Sequence, residues 1–377
     1  MKKNEKLEKM IVGQLEATSA HLAHNKQSCI AATVGFGKAK IAIDRIVTYS
    51  KGDNIVFTAP RELHLENFKK ELIKFGHEDW IKHIHFCCVA SLKNYKEIAK
   101  FIGIDECHLD NERSSDFVKL QLKRNFNVEI LALSGTPGTE KTNELLKILS
   151  ISYSKFTDDA VDDKMLNDYQ INVIYHDLSD DPYSCEINTK RGSFKQSEKN
   201  RYDYLFEKYK TIVSFKKFPW ELMAIKQFFG NLISKEDVTN FILNKIQHKG
   251  KVLVYCGSIE QTNSFFYPSY HSKLTKELRT ANFESFESGA INILTNVNGI
   301  KEAVSITALK YGIIMKIDAS KNGFQQILGR LLRMSIGETS HLYVLVARGT
   351  IEESWFDKAS SSLDQTKIKK YNYKNLT

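Results

Sequence analysis

Short, almost continuously apolar runs alternate with longer stretches of helical period along this chain, and the alternation occurs twice. In the first part the apolar runs fall at 28–34, 54–59, 84–89, 101–105 and 129–134. A strand with one wet face would alternate apolar and polar residues. Unbroken runs instead predict strands covered on both faces, as in parallel sheets flanked by helices. Between them, 38–48 and 62–75 are amphipathic at helical spacing, which completes a β–α alternation. A second set of strands is predicted at 170–175, 251–256, 291–295, 312–317 and 341–346. The first two of these are separated by a polar segment rich in lysine and aromatic residues, about 179–250. It is predicted mostly helical, over 197–212 and 220–247. Periodicity breaks at Thr-Asp-Asp-Ala-Val-Asp-Asp, 157–163, which predicts two domains, 1–160 and 161–377. Residues 366–377 hold four lysines and no acid and predict a frayed basic tail.

Composition agrees with two domains. The chain has 377 residues, 42% hydrophobic and 26% charged, enough apolar material for two cores and too much for a disordered chain. No run of eighteen uncharged apolar residues occurs, so no transmembrane helix is expected. The first nine residues alternate charges and do not read as a secretory signal. The six cysteines include no C-x-x-C pair and mostly lie in apolar runs, which predicts buried free thiols in a reducing compartment. A cytoplasmic protein with no membrane partner is the expectation. Lysine and arginine exceed aspartate and glutamate by 54 − 45 = 9, a balance that suits a polyanionic partner without specifying one.

Candidate chemistry begins at Ala32-Thr33-Val34-Gly35-Phe36-Gly37-Lys38-Ala39, between a predicted strand and a predicted helix. Such a loop aims backbone N–H groups and the positive end of a helix dipole at one point, which suits phosphate. Gly35 and Gly37 allow close approach, and Lys38 reaches the outer phosphates. Against G-x-x-x-x-G-K-[ST], Ala32 replaces the first glycine and Ala39 the final hydroxyl. The next motif, Asp105-Glu106-Cys107-His108, ends an apolar strand in two carboxylates. Asp105 is expected to hold Mg²⁺, directly or through water, and Glu106 to activate a water. His64, His83 and His85 have no cysteine or carboxylate companions at metal spacing.

These motifs, in this order, resemble those of the superfamily 2 helicases and translocases. Ala32 to Lys38 match the family's A-x-x-G-x-G-K-T up to the last threonine, and Asp105 to His108 its D-E-x-H form. Thr58-Ala59-Pro60-Arg61 resembles the motif that grips the nucleic-acid backbone, and Ser134-Gly135-Thr136-Pro137 the one that couples hydrolysis to movement. Gln14 sits where the family reads adenine. In the second half, 251–256 followed by Gly257 and Ser258 is similar to motif IV, and 291–295, ending in Thr295, to motif V. Gln326-Ile327-Leu328-Gly329-Arg330-Leu331-Leu332-Arg333 is a complete Q-x-x-G-R-x-x-R. On one helix Gln326, Arg330 and Arg333 share a face, which could present two guanidiniums to phosphate.

The resemblance implies an α/β fold of two tandem RecA-like parallel-sheet domains with an ATP cleft between them. Implied ATP-binding residues are Gln14, Gly35, Phe36, Gly37, Lys38 and Ala39. Implied catalytic residues are Lys38, Asp105, Glu106, Gln326, Arg330 and Arg333, with Asp105 on Mg²⁺. Pro60, Arg61, Ser134, Thr136, Ser258 and Thr295 are implied to contact nucleic acid or couple to it. The D-E-C-H and S-G-T-P forms are closer to DNA-acting translocases, including phage UvsW-type proteins and the motors of type III restriction enzymes. DNA is therefore favoured over RNA, branched or single-stranded, with protein partners in replication, recombination or repair. Two departures stand out. Ala39 cannot coordinate a cation, and Ala303 and Ser305 replace the Gly and Asp of motif V. They imply slower hydrolysis, and keep open an ATPase-impaired binding module or the motor subunit of a larger nuclease or remodelling complex. The run from Arg201 to Trp220 mixes bases with aromatics, which could stack on nucleobases or form the apolar face of packed helices.

Overall fold

The structure, a computed structural model, describes residues 3–109, 111–189, 192–213, 220–297, 306, 309–332 and 339–376. Arg333, Ala303 and Ser305 lie outside them. The chain forms two compact units, one within Met1–Asn167 and one built from Asp168–Lys301 and Ile306–Thr377. Among the described residues no helix is long and apolar enough to cross a membrane.

The first unit opens with a helix, α1 (Lys3–Ala23). Its buried positions are Lys6, Met10, Gly13, Ala17 and His21, a stripe at spacings of three and four that lies on one face. Six strands follow: β1 (Gln27–Ala32), β2 (Ile55–Ala59), β3 (Ile84–Cys88), β4 (Phe101–Ile104), β5 (Glu129–Ser134) and β6 (Ile151–Lys155). They form one sheet in the order β3-β2-β4-β5-β1-β6, and every pairing is parallel. Helices α2 (Lys38–Ile46), α3 (Glu62–Lys74), α4 (Asn111–Arg124) and α5 (Thr157–Asp162) supply the cover. Strands β1, β2, β4 and β5 are buried nearly throughout, which is why their sequences do not alternate. The sixth strand was not anticipated. Its residues are half-buried or exposed, so it carries no apolar run to betray it.

Below this sheet Glu129 gathers a polar cluster. It accepts from Arg45 Nε and Nη2 at 2.7 and 2.9 Å and from Tyr49 Oη at 2.7 Å, and His21 Nε2 lies 3.2 Å away. Burial pushes the carboxyl's pKa up, but these hydrogen bonds outweigh it and hold Glu129 at about 2.

The second unit contributes β7 (Tyr169–His176), a hairpin of β8 (Cys185–Thr189) and β9 (Gly192–Gln196), then β10 (Lys251–Tyr255), β11 (Ser269–Tyr270), β12 (Ile293–Asn296), β13 (Leu309–Ile314), β14 (Ser340–Ala347) and β15 (Ile368–Asn372). Seven of these form a sheet in the order β11-β12-β10-β13-β14-β7-β15, again with every pairing parallel. Its helices are α6 (Glu198–Val213), α7 (Trp220–Phe229), α8 (Ile233–Ile246), α9 (Ile259–Ser264), α10 (Lys276–Ser288), α11 (Lys321–Leu331) and α12 (Ile351–Ser360). Fully buried Lys235 on α8 donates to both Glu352 oxygens on α12, at 2.6 and 2.8 Å.

The β8–β9 hairpin, which was not anticipated, precedes α6 within 179–250. Two expectations need correction. The run 220–247 is two helices, interrupted between Phe229 and Ile233. The expected frayed tail is the edge strand β15, paired with β7 from Ile368 to Asn372. Its lysines find acids: Lys367 Nζ lies 2.7 Å from Asp168 and Lys374 Nζ 2.7 Å from Asp177. A row of open N–H and C=O groups along β7 needs a partner, and this segment provides it. In the basic-aromatic run, Tyr202 is buried against Phe206, Phe228 and Phe229 at ring separations of 5.3–6.2 Å, so that side packs. Tyr204 and Trp220 remain exposed.

Candidate phosphate-loop site

The carboxyl ends of β4, β5 and β1, three neighbouring strands, bring together motifs separated by about a hundred residues of sequence. From β1 the chain enters the loop Thr33 to Gly37 and then α2. Gly35 and Gly37 take φ of 94° and 84°, the left-handed region that glycine enters without strain. Gly37 caps α2, so the helix's first N–H groups open onto the loop. Phe36 is buried beneath it, 5.8 Å from the ring of Tyr153 on β6. Gln14 Nε2 donates to Phe36 O at 2.9 Å, and a Cβ on Gly37 would sit 2.3 Å from that same nitrogen. Gln14 thus braces the loop directly. Lys38 Nζ donates to Ala32 O at 2.7 Å and Thr33 O at 3.3 Å. Ala39, partly exposed on the first turn of α2, offers only a methyl group.

Asp105 leaves β4 with its N–H still bonded to Thr58 O at 2.9 Å. Glu106 then adopts a φ of 45°, an uncommon conformation for a residue with a side chain, and the turn closes through Leu109 N to Glu106 O. The strained turn brings both carboxylates to the strand end. Burial and the neighbouring Glu106 charge push the Asp105 pKa up to about 7, against the pull of Lys38. Glu106 Oε2 is buried without a hydrogen bond among the described residues, 3.4 Å from His108 Nδ1. The same His108 nitrogen is 2.9 Å from Ser134 Oγ, which also accepts from Thr136 N at 3.1 Å. The second and third motifs are therefore in hydrogen-bond contact. Asn143 adds a link that no sequence signal pointed to: its Nδ2 donates to Cys107 O at 3.3 Å and Pro137 O at 2.9 Å.

Pro60 and Arg61 follow β2, at the start of α3, with Arg61 exposed. In the second unit, Ser258 Oγ caps α9 by accepting from Gln261 N at 3.0 Å. Thr295 is fully buried, with its hydroxyl 3.3 Å from Pro268 O. Gln326 and Arg330 lie on α11. Gln326 is partly exposed and Arg330 is 5% exposed; burial pushes the Tyr255 phenol up to about 12, with the Arg330 charge pulling the other way. No cluster of three or more histidine, cysteine or acidic side chains fit for a metal occurs among the described residues. The cysteines are free, four of them buried.

Residues 234–335 match the family described as helicase conserved C-terminal domain. No curated protein matches the sequence significantly. Among solved structures, Dbp5 of S. cerevisiae bound to RNA and ADP BeF3 superposes with a TM-score of 0.60 at 11% identity, over 98% of this chain and 93% of that one. A fragment of an HsdR subunit of a type I restriction enzyme from Vibrio vulnificus gives a TM-score of 0.60 at 16% identity, over 98% and 71%. The Hef helicase domain of Pyrococcus furiosus gives 0.52 at 13% identity, over 90% and 96%. The two parallel sheets of this chain thus have the tandem RecA-like fold of these helicase structures, and residues 234–335 are similar to the helicase C-terminal domain.

Proposed function

We propose that this chain is an ATP-driven nucleic-acid translocase or helicase, acting on DNA in preference to RNA. The observation that carries the reading is the meeting of Lys38, Asp105, Glu106 and the His108–Ser134 contact at adjoining strand ends. The relatives described as bound to RNA with ADP BeF3 support both a nucleotide and a nucleic acid as ligands. The preference for DNA rests on the D-E-C-H and S-G-T-P forms of the motifs.

ATP is the substrate. The N–H groups of residues 35–38 and the Lys38 ammonium bind its phosphates, and Gln14 keeps the loop in shape. Magnesium fits this site on the chemistry of its donors, the adjacent carboxylates Asp105 and Glu106 at the end of β4. Asp105 would hold the ion with water, and the ion would supply charge neutralisation at the phosphates. Glu106 takes the proton of the attacking water on Oε2, the buried oxygen that lacks a hydrogen bond. His108 passes the resulting shift to Ser134 and the loop through Thr136. Gln326, Arg330 and Arg333 are assigned to stabilising charge in the transition state, Pro60 and Arg61 to the nucleic-acid backbone.

A steady-state ATPase assay with single-stranded DNA, duplex DNA or RNA tests this. The parent should be stimulated most by DNA. Lys38→Ala should lose nucleotide binding. Glu106→Gln should bind ATP yet fall in turnover by about 100-fold or more, the ordinary range for a general base. Parent-rate turnover in Glu106→Gln would refute the assignment of the base, and an ATPase indifferent to every nucleic acid would refute the translocase.

A further inference from the structure

On the second unit, a cavity of about 190 Å³ lies between the sheet and the last two turns of α8. Three strands form its floor. Asn172 and Ile174 project from one face of β7, as alternate residues of a strand do. Tyr343 pairs with Asn172 across β14, and Tyr371 with Ile174 across β15. From α8, Phe241 and Lys245, one helical turn apart, close the other side. Strand β15 is therefore part of the wall, and the site exists only because the C-terminal segment is ordered.

The polar groups are sparse and definite. Asn172 is 7% exposed, and among the described residues its Nδ2 has no hydrogen-bond partner. A buried amide donor left unmatched is costly, so it marks where an acceptor belongs. At the rim, exposed Lys245 lies 3.9 Å over the Phe241 ring and donates to Leu376 O at 3.2 Å. An ammonium with further donor capacity there favours an anion. The walls between are aromatic and aliphatic, which disfavours a bare inorganic ion and suits a flat ring. A cavity of roughly 150 Å³ takes up benzene, so this volume admits one ring with small substituents.

We propose that the second unit binds a small monocyclic aromatic anion here. Its ring lies among Phe241, Tyr343 and Tyr371, an acceptor takes the Asn172 Nδ2 proton, and its negative group meets Lys245. The site lies beside the C-terminal half of α8, which leads into the start of β10. It is thus away from the carboxyl end of β10, where Ser258 stands.

The full chain, dialysed to equilibrium against radiolabelled 4-hydroxybenzoate, tests this. A ligand of about ten heavy atoms at ordinary efficiency should bind with a Kd on the order of 1 mM or below. Benzoate, which lacks the inner acceptor, should bind about five- to tenfold more weakly. Asn172→Leu should abolish the preference between the two ligands, and Lys245→Met should weaken both. Lys245 is on the surface, so its variant keeps the test valid if Asn172→Leu does not fold. No binding by the folded parent at about 10 mM would mean the cavity holds only water and would overturn the proposal. So would an unchanged preference in Asn172→Leu, or displacement of the ligand by an oligothymidylate, which would make the pocket part of the nucleic-acid surface.

Discussion

Replacing Gly37 by alanine should impair ATP binding while leaving the fold intact. Two costs add. Gly37 sits at φ 84°, and holding an alanine in the left-handed region costs roughly 1–2 kcal/mol. The new Cβ would stand 2.3 Å from Gln14 Nε2, closer than any real contact, so the flexible Gln14 side chain must swing away. It then gives up its bond to Phe36 O, worth about 1 kcal/mol net. Together the phosphate-binding shape of the loop is disfavoured by about 2–3 kcal/mol, and ATP affinity should fall between about 30- and 150-fold. Titration with a fluorescent ATP analogue reads this directly, and circular dichroism should show an unchanged fold. Gln14→Ala alone should cost about fivefold, the value of the hydrogen bond. Because that bond can be lost only once, the double variant should bind no worse than Gly37→Ala, a coupling of about 1 kcal/mol. Parent affinity in Gly37→Ala would show that the loop seen here is not the one that binds nucleotide. Strict additivity would show that Gln14 and Gly37 do not share a contact.

Two further outcomes follow from named groups. Ala39→Thr adds a hydroxyl on the first turn of α2 and should lower the Mg²⁺ concentration needed for half-maximal turnover; an unchanged Mg²⁺ titration would mean other groups hold the ion fully. Glu129 is held at about 2 against an ordinary 4.5, so its folded pKa is depressed. Its contribution, on the order of 3 kcal/mol, is complete above pH 4.5 and drains away as pH falls toward 2. Urea unfolding between pH 6 and pH 3 should therefore show an acid-labile component that Glu129→Gln removes, and identical pH profiles for the two proteins would refute the role of the Arg45, Tyr49 and His21 bonds.

Sequence by itself determined the elements whose signal is local. Most of the predicted strands announce themselves as apolar runs because both faces are largely covered, β3 with its exposed His85 being an exception, and the fold class follows from their alternation with helices. The candidate phosphate loop is legible because the requirements of such a loop, two glycines with positive φ and a lysine on the first turn, fall within consecutive residues. Elements without a two-sided core were missed: β6 is half-exposed, β9 of the hairpin is largely exposed, and the segment around β15 looks like a charged tail because Lys367 and Lys374, which flank the strand, matter only beside Asp168 and Asp177. Tertiary structure alone decided which strand lies next to which, and with that the meeting of Lys38, Asp105 and Ser134. It also set Gln14 as a brace for the loop and buried Thr295. Ladder order is a property of pairings between distant segments, fixed by how whole layers pack. No window of sequence contains it.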